Sequence, residues 1–315
     1  MARFNKIGDL WDTLESLKAL QKDEVKSAAQ LRYPDIGTLE VSNGRIKVHV
    51  LREDAEKGLA YRLGIPIRYF EKMKTELPDL AIENVNKWLK KFANKRFLIR
   101  YEMDEVRAVL TEGYRIVNHL DLVKLIGKRT MEKFAKAECF AHLDDRYLTI
   151  NLLFMDDMID NDWVPGVQIM NSETGHGALK IHPRMLRLVC NNGLIYSGEE
   201  IQGLYRRVHY GKADNESLWQ EIETVFDRAV NSCESIVKKV EGLRDIEVDV
   251  EAEINRIGKE YRLTEEQKVR ILKCFGEEPE RNKFGVIQAL TRAAQEEEDF
   301  YKQQYLEKVA GKLII

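Results

Sequence analysis

Long apolar runs are missing from this chain of 315 residues. None reaches the about 18 residues that a membrane-spanning helix requires, so no membrane partner is expected. Cysteine is scarce: the four residues Cys139, Cys190, Cys233 and Cys274 form no CxxC pair. That spacing removes a zinc knuckle or ribbon and leaves buried, reduced thiols as the expectation. An excess of one charge is absent too. The net charge of −3 excludes a globally basic nucleic-acid binder but leaves room for a local basic patch. The opening stretch MARFNKIGDLWDTLESL carries acids and lacks the apolar core of a signal peptide, so a cytoplasmic protein is expected. No GxxxxGKS or GxxxxGKT spacing marks a P-loop. The acids Asp156, Asp157, Asp160 and Asp162 in FMDDMIDNDW lack the glycine and terminal glutamate of a calcium loop, and a solvated connection is expected there. No metal and no cofactor is implied, and there is no internal repeat or low-complexity stretch.

What the chain does have is enough apolar material, 44% hydrophobic against 33% charged residues, to bury a real core. Residues 4–31 place Leu10, Leu14, Leu17 and Leu20 at helical spacing. TLEVSNGRIKVHV alternates about Asn43-Gly44, which suits a tight hairpin. Short helices are expected at 54–63 and after Pro66, and a longer one at 79–94, with Leu80, Val85, Trp88, Leu89 and Phe92 on one face. RFLIRYEMDEVRAVLT reads as two strands joined at Met103–Glu105, followed by a helix over 119–133. AECFAHLDDRYLTINLLF reads as a hairpin turning at Asp144-Asp145, and 166–195 as strands around the polar loop NSETGHG. From about 213 onward three or four helices account for the pattern, with Thr264 as an N-cap and Gln267 three residues on. The expected fold class is α+β: an antiparallel β-rich central core with flanking helices and a helical C-terminal region. The regions are 1–78 (helix and hairpin), 79–213 (central core) and 214–315 (helical).

Two windows are basic. Residues 84–101 hold six Lys/Arg and no acid, with Trp88, Phe92, Phe97 and Tyr101 interleaved, and residues 178–212 hold six Lys/Arg against Glu199 and Glu200. Cations that track a phosphate backbone, with aromatics to stack bases, are what single-strand binding needs. A solvated helix face with core aromatics is the competing account of residues 84–94. The polar loop is the second constellation. Gly175 and Gly177 permit close backbone approach, and the loop either cradles an anion through its N–H groups or is a structural turn. A Cys190 nucleophile with His176, His182 or His209 as base has no geometric support, and Glu173, His176 and His182 match no metal-ligand spacing.

Six segments carry a resemblance: GIPIRYFEKM, LPDLAIENVNKWL, LTEGYRIVNHLDLV, QIMNSETGHGALKIHPRMLRLVCNNGLI, RRVHYG and FGVIQALTRAAQ…LEKVAGKLI. Together they resemble the phage/plasmid-like domain-of-unknown-function family (DUF 932), from about Gly64 to the end. The stretch through Arg187, Cys190, Asn192 and Gly193 is the most specific. The resemblance implies an accessory of mobile-element DNA metabolism, and no assigned reaction. The coarse strand–strand–helix pattern is also loosely similar to single-strand annealing proteins.

Three functional expectations follow. The first is a single-stranded nucleic-acid-binding protein of replication, recombination or repair, acting as a homo-oligomer. Its basic β-surface would be formed by residues 96–115 and 180–212, with Lys91, Arg96, Arg100, Arg115, Arg184, Arg187, Arg206 and Arg207 at phosphates and Tyr114 or Tyr205 stacking bases. The second is a small-ligand site or enzyme around Asn171, Glu173, His176, Asn192 and His209. No catalytic residue is assigned, which tilts the reading away from an enzyme. The third is a structural or regulatory module acting through helices 214–312, where 15 acids and 12 bases over 247–315 read as solvated helix faces.

Overall fold

The computed structural model of the chain describes residues 2–133, 136–160, 162–187, 192–196, 205–207 and 215–314. In chain order the N-terminal part runs β1 (Ala2–Phe4), α1 (Ile7–Ala19), β2 (Gln21–Ser27), β3 (Leu31–Arg32), β4 (Thr38–Ser42), β5 (Ile46–Leu51), α2 (Glu53–Arg62), α3 (Ile67–Glu76) and α4 (Pro78–Lys91). The middle runs β6 (Arg96–Glu102), β7 (Glu105–Thr111), α5 (His119–Lys133), β8 (Ala137–Leu143), β9 (Leu148–Phe154), β10 (Trp163–Asn171), β11 (Leu179–Arg187), β12 (Asn192–Ile195) and β13 (Tyr205–Arg207). Helices α6 (Asn215–Asn231), α7 (Cys233–Gly242), α8 (Val250–Glu260), α9 (Glu265–Glu277), α10 (Lys283–Gln295) and α11 (Phe300–Lys312) follow. The class is α+β, as the sequence pattern requires.

The strands form two sheets. Sheet one has the order β1-β8-β9-β10-β11-β12, with β13 also paired to β11, and sheet two the order β2-β6-β7-β5-β4-β3. All pairings are antiparallel except β5 with β7. Alternation gives each sheet two unlike faces. One face of sheet one buries Ala141, Ile150, Leu152, Val167, Ile169 and Ile181 against α1, α5 and α6. One face of sheet two buries Phe97, Ile99, Tyr101, Val106 and Val109 against α2, α3 and α4. The helices α7–α11 form a further core with Trp163, Met185 and Leu194.

Two expectations need correction. The helical period begun by Leu10 and Leu14 ends at Leu20, and residues 21–27 form a strand paired in register with β6, Gln21 opposite Glu102 and Ser27 opposite Arg96. The C-terminal region holds six α-helices among the described residues, not three or four. Both sheets draw strands from either side of residues 78/79: β1 pairs with β8, and β2–β5 share sheet two with β6 and β7. No helix among the described residues is long and apolar enough to cross a membrane.

Candidate functional site

The polar segment after β10 lies where the two sheets meet. Sheet two turns its second face toward it, carrying Leu98, Ala108 and Leu110. Arg100 shares that face with Leu98 by alternation. Arg107 reaches it by another route. Pairing between β6 and β7 shifts register after Arg100: Ala108 faces Arg100 but Val106 faces Tyr101, so Arg107 is the extra residue of a β-bulge. A bulge aims its extra side chain to the same side as its neighbour, and Arg107 joins Arg100 facing the loop.

Glu173 is the anion between them. Its side chain is buried, Arg107 Nη2 and the His119 backbone N–H both donate to it, and Arg100 Nη1 lies 3.8 Å away. Arg100 is fully buried. It donates through Nε and Nη2 to the Asp23 carboxylate at 2.9 and 3.2 Å, through Nη1 to the Glu173 carbonyl at 2.8 Å, and to Asn118 Oδ1 at 3.2 Å. Asn171 Nδ2 donates to the Val117 carbonyl at 2.8 Å and lies 3.0 Å from His119 Nδ1. Burial works to raise the Glu173 pKa. His119, Arg107 and Arg100, together with the His119 N–H, outweigh it and hold the carboxyl well below the usual carboxylate range.

This ionic lock fixes the loop as a partition between two spaces. On one side is a cavity of about 240 Å³ whose wall includes Lys18, Arg52, Glu102, Arg107, His119 and Glu173. Its charges pair with one another, Arg52 reaching Glu105 at 2.8 Å and Asp145 at 3.2 Å as well as Glu102. On the other side is an open groove of about 570 Å³ between α2 and the Thr174–His176 backbone, with Asp54, Lys57, Tyr61, Arg62, Arg146 and His176 on its walls. Arg146 grips Asp54 through Nε and Nη2 at 2.6 and 2.9 Å. His176 Nδ1 lies 2.9 Å from Thr174 Oγ1 and Nε2 lies 3.5 Å from Asp54. Burial, helped by Arg146, lowers the His176 pKa against the pull of Asp54, so the imidazole is neutral at neutral pH. Gly175 has φ +85°, and a Cβ there would stand 2.6 Å from Leu110 Cδ2, so any side chain at this corner is strained.

The structure brings Asn171, Glu173 and Arg100 together and places His176 across the partition from them. The remaining cations do not form one surface with Arg100. Lys91 is exposed on α4 with its ammonium 4.6 Å from the Trp88 ring centroid, and exposed Arg96 pairs with Glu112 at 2.7 Å. Arg115 is half-buried between β7 and α5. Arg184 forks onto Glu307 of α11 at 2.7 and 3.1 Å, and Arg187 meets Asp162 at 2.7 Å. Alternation and local excess of charge carry no information about these carboxylate partners, so the open basic strand face expected for Arg100, Arg184 and Arg187 is corrected to buried or half-buried ion pairs. Tyr114 is half-buried and donates to the Ser172 carbonyl at 2.8 Å. The backbones of Arg206 and Arg207 pair with Lys180 and Leu179, and that of Asn192 with Arg187. The side chains of those three residues and of Tyr205, as well as His209 and Cys190 entirely, lie outside what is described. Cys139, Cys233 and Cys274 are buried free thiols, with burial pushing their pKa values up to about 11, 12 and 11.

Residues 108–300 match the model of a family described as a domain of unknown function, DUF932. No curated protein and no solved structure matches the chain.

Proposed function

Since the chain belongs to the DUF932 family, a domain of unknown function, we propose a function from the geometry: it is a binding protein for a small anionic ligand, held in the groove between α2 and the Thr174–His176 backbone. One observation carries this reading. Three cations, Lys57, Arg62 and Arg146, line an open groove of about 570 Å³ in which Asp54 is the one acidic lining residue, Lys57 pairing with Glu53 at its edge and Arg146 with Asp54. The volume is that of an ordinary small-ligand site, roughly 300–1,000 Å³. The buried Glu173 lock behind the loop supports it, since a rigid wall lowers the entropy cost of binding. Tyr61, which is exposed, offers a flat surface for a planar ligand group. The nucleic-acid reading stands second, because Arg100, Arg184 and Arg187 are buried or half-buried in their ion pairs and do not form an open strand face.

Titrating the full-length protein with ATP, inorganic phosphate and short oligo(dT) at low and high salt tests the reading. ATP should bind saturably, and Arg62→Ala with Arg146→Ala should weaken it about tenfold or more, the loss of charge-assisted hydrogen bonds. Binding of oligo(dT) alone, falling steeply with salt, would transfer support to the nucleic-acid reading. Silence from all three probes at low salt overturns both.

A further inference from the structure

The second face of sheet one is polar although it is buried. Cross-strand register sets Phe140, Asn151, Gln168 and His182 in one row across β8–β11, and His142 and Thr149 side by side in the next. Helix α11 covers this face, bringing Gln304 and Glu307 down onto it. Asn151, Gln168, His182, Thr149, His142 and Gln304 are all under 10% exposed.

Buried polar atoms are normally hydrogen-bonded, and each one left without a partner is costly. Here the orphans gather. Among the described residues, Gln304 Nε2 and Oε1, both ring nitrogens of His142, Thr149 Oγ1, Gln168 Oε1 and His182 Nδ1 have no hydrogen-bond partner. The nearest charge to His142 is Asp144, 3.6 Å from Nε2. Burial, aided by Arg3, keeps that imidazole on the neutral side.

Two of these residues, Gln304 and His142, border a cavity, while Thr149, Gln168 and His182 lie away from it. A cavity of about 580 Å³ opens between α11, β1 and the strands, and both Gln304 and His142 line it. Its other walls include Phe4, Phe140 and Phe300, the aliphatic Leu153 and Leu186, and the Arg184–Glu307 pair. Phe300 stacks on the His142 ring at 4.0 Å between centroids. Phe140 is 43% exposed toward it. Gly193 lets the Arg184–Glu307 pair pack against its backbone, since a Cβ there would stand 2.4 Å from Arg184 Nη2.

Gln304 is 4% exposed, has neither its N–H nor its C=O partnered, and borders a cavity that Phe4, Phe140 and Phe300 also line; such a carboxamide is complementary to a flat ring bearing an acceptor next to a donor. We propose that this cavity is a second binding site, taking a planar nitrogen heterocycle of the nucleobase class, with Gln304 reading its hydrogen-bonding edge and the phenylalanines holding its faces. The site is separate from the anionic groove and shares none of its residues.

Uncharged nucleosides test it without engaging the groove's cations. Calorimetric titration of the full-length protein with adenosine, guanosine, cytidine and uridine should give saturable binding to at least one. Gln304→Leu should abolish that binding and, by removing two unsatisfied buried atoms, raise the melting temperature of the unliganded protein by about 2 °C. A Gln304 that serves only the fold would lower it. Phe140→Ala, at an exposed position that folding tolerates, should weaken binding several-fold. Absence of binding by every nucleoside at millimolar concentration, or binding unchanged in both variants, overturns the proposal.

Discussion

Glu173 is one buried carboxylate facing two arginines, and most of the site's energetics follow from that arrangement. Removing one member of such a cluster leaves uncompensated charge. Glu173→Gln should therefore cost about 3–5 kcal/mol, read by urea unfolding at neutral pH. The pH dependence has a definite sign. The native carboxyl is held below its unfolded value of about 4.3, so its contribution is complete above that pH and is lost as the pH falls below it. The wild type should lose stability through that acid range, and Glu173→Gln should show a shallower acid limb. Equal limbs in the two proteins would mean the lock is not ionic. Gly175→Ala imposes a left-handed φ on a Cβ that also meets Leu110, and a loss of about 1–3 kcal/mol is expected in the same assay. Glu173 and Gly175 were readable as unusual from the sequence, because a polar glycine-containing loop interrupts two apolar strands. Arg107 was not. Period-two reading assigns it to the face of Val109, and only the bulge, which depends on pairing with β6, returns it to the face of Arg100.

Elements with a local cause were the legible ones. Gly44 has φ +74° in the β4–β5 turn, as an Asn-Gly hairpin requires. Thr264 accepts from the Gln267 N–H at 3.2 Å while the Gln267 side chain accepts from the Thr264 N–H at 3.0 Å, closing the capping box of α9. Thr264→Ala should lower stability by about 1 kcal/mol, measurable as a shifted urea midpoint with an unchanged slope. Strand β2 had no such cause. Its sequence QKDEVKS lacks an apolar face and buries only Lys26. It is a strand because the edge of β6 offers it a ladder, which is a long-range fact. The same limit hid the groove, where Asp54 and Arg146 meet from residues 92 apart in sequence.

The region 1–78 supplies β2, β3, β4 and β5 to sheet two and β1 to sheet one, and Asp23 to the lock on Arg100. A fragment of residues 79–315 would keep β6 and β7 as a hairpin without neighbours and would leave Arg100 buried beside an empty place. It should show no cooperative unfolding transition by near-ultraviolet circular dichroism, and a sharp transition at the wild-type midpoint would refute the shared-sheet account. The family match over 108–300 begins inside β7 and ends at the first residue of α11. The cooperative unit drawn by the sheets is therefore larger than the matched stretch.

The pairing of Ala2 with Leu143 also sets a clock. A ribosome adds about 5–20 residues each second, so β1 waits on the order of ten seconds for β8 to be translated. During that interval the edge of β1 and the apolar side of α1 have none of the sheet and helix partners that cover them in the fold.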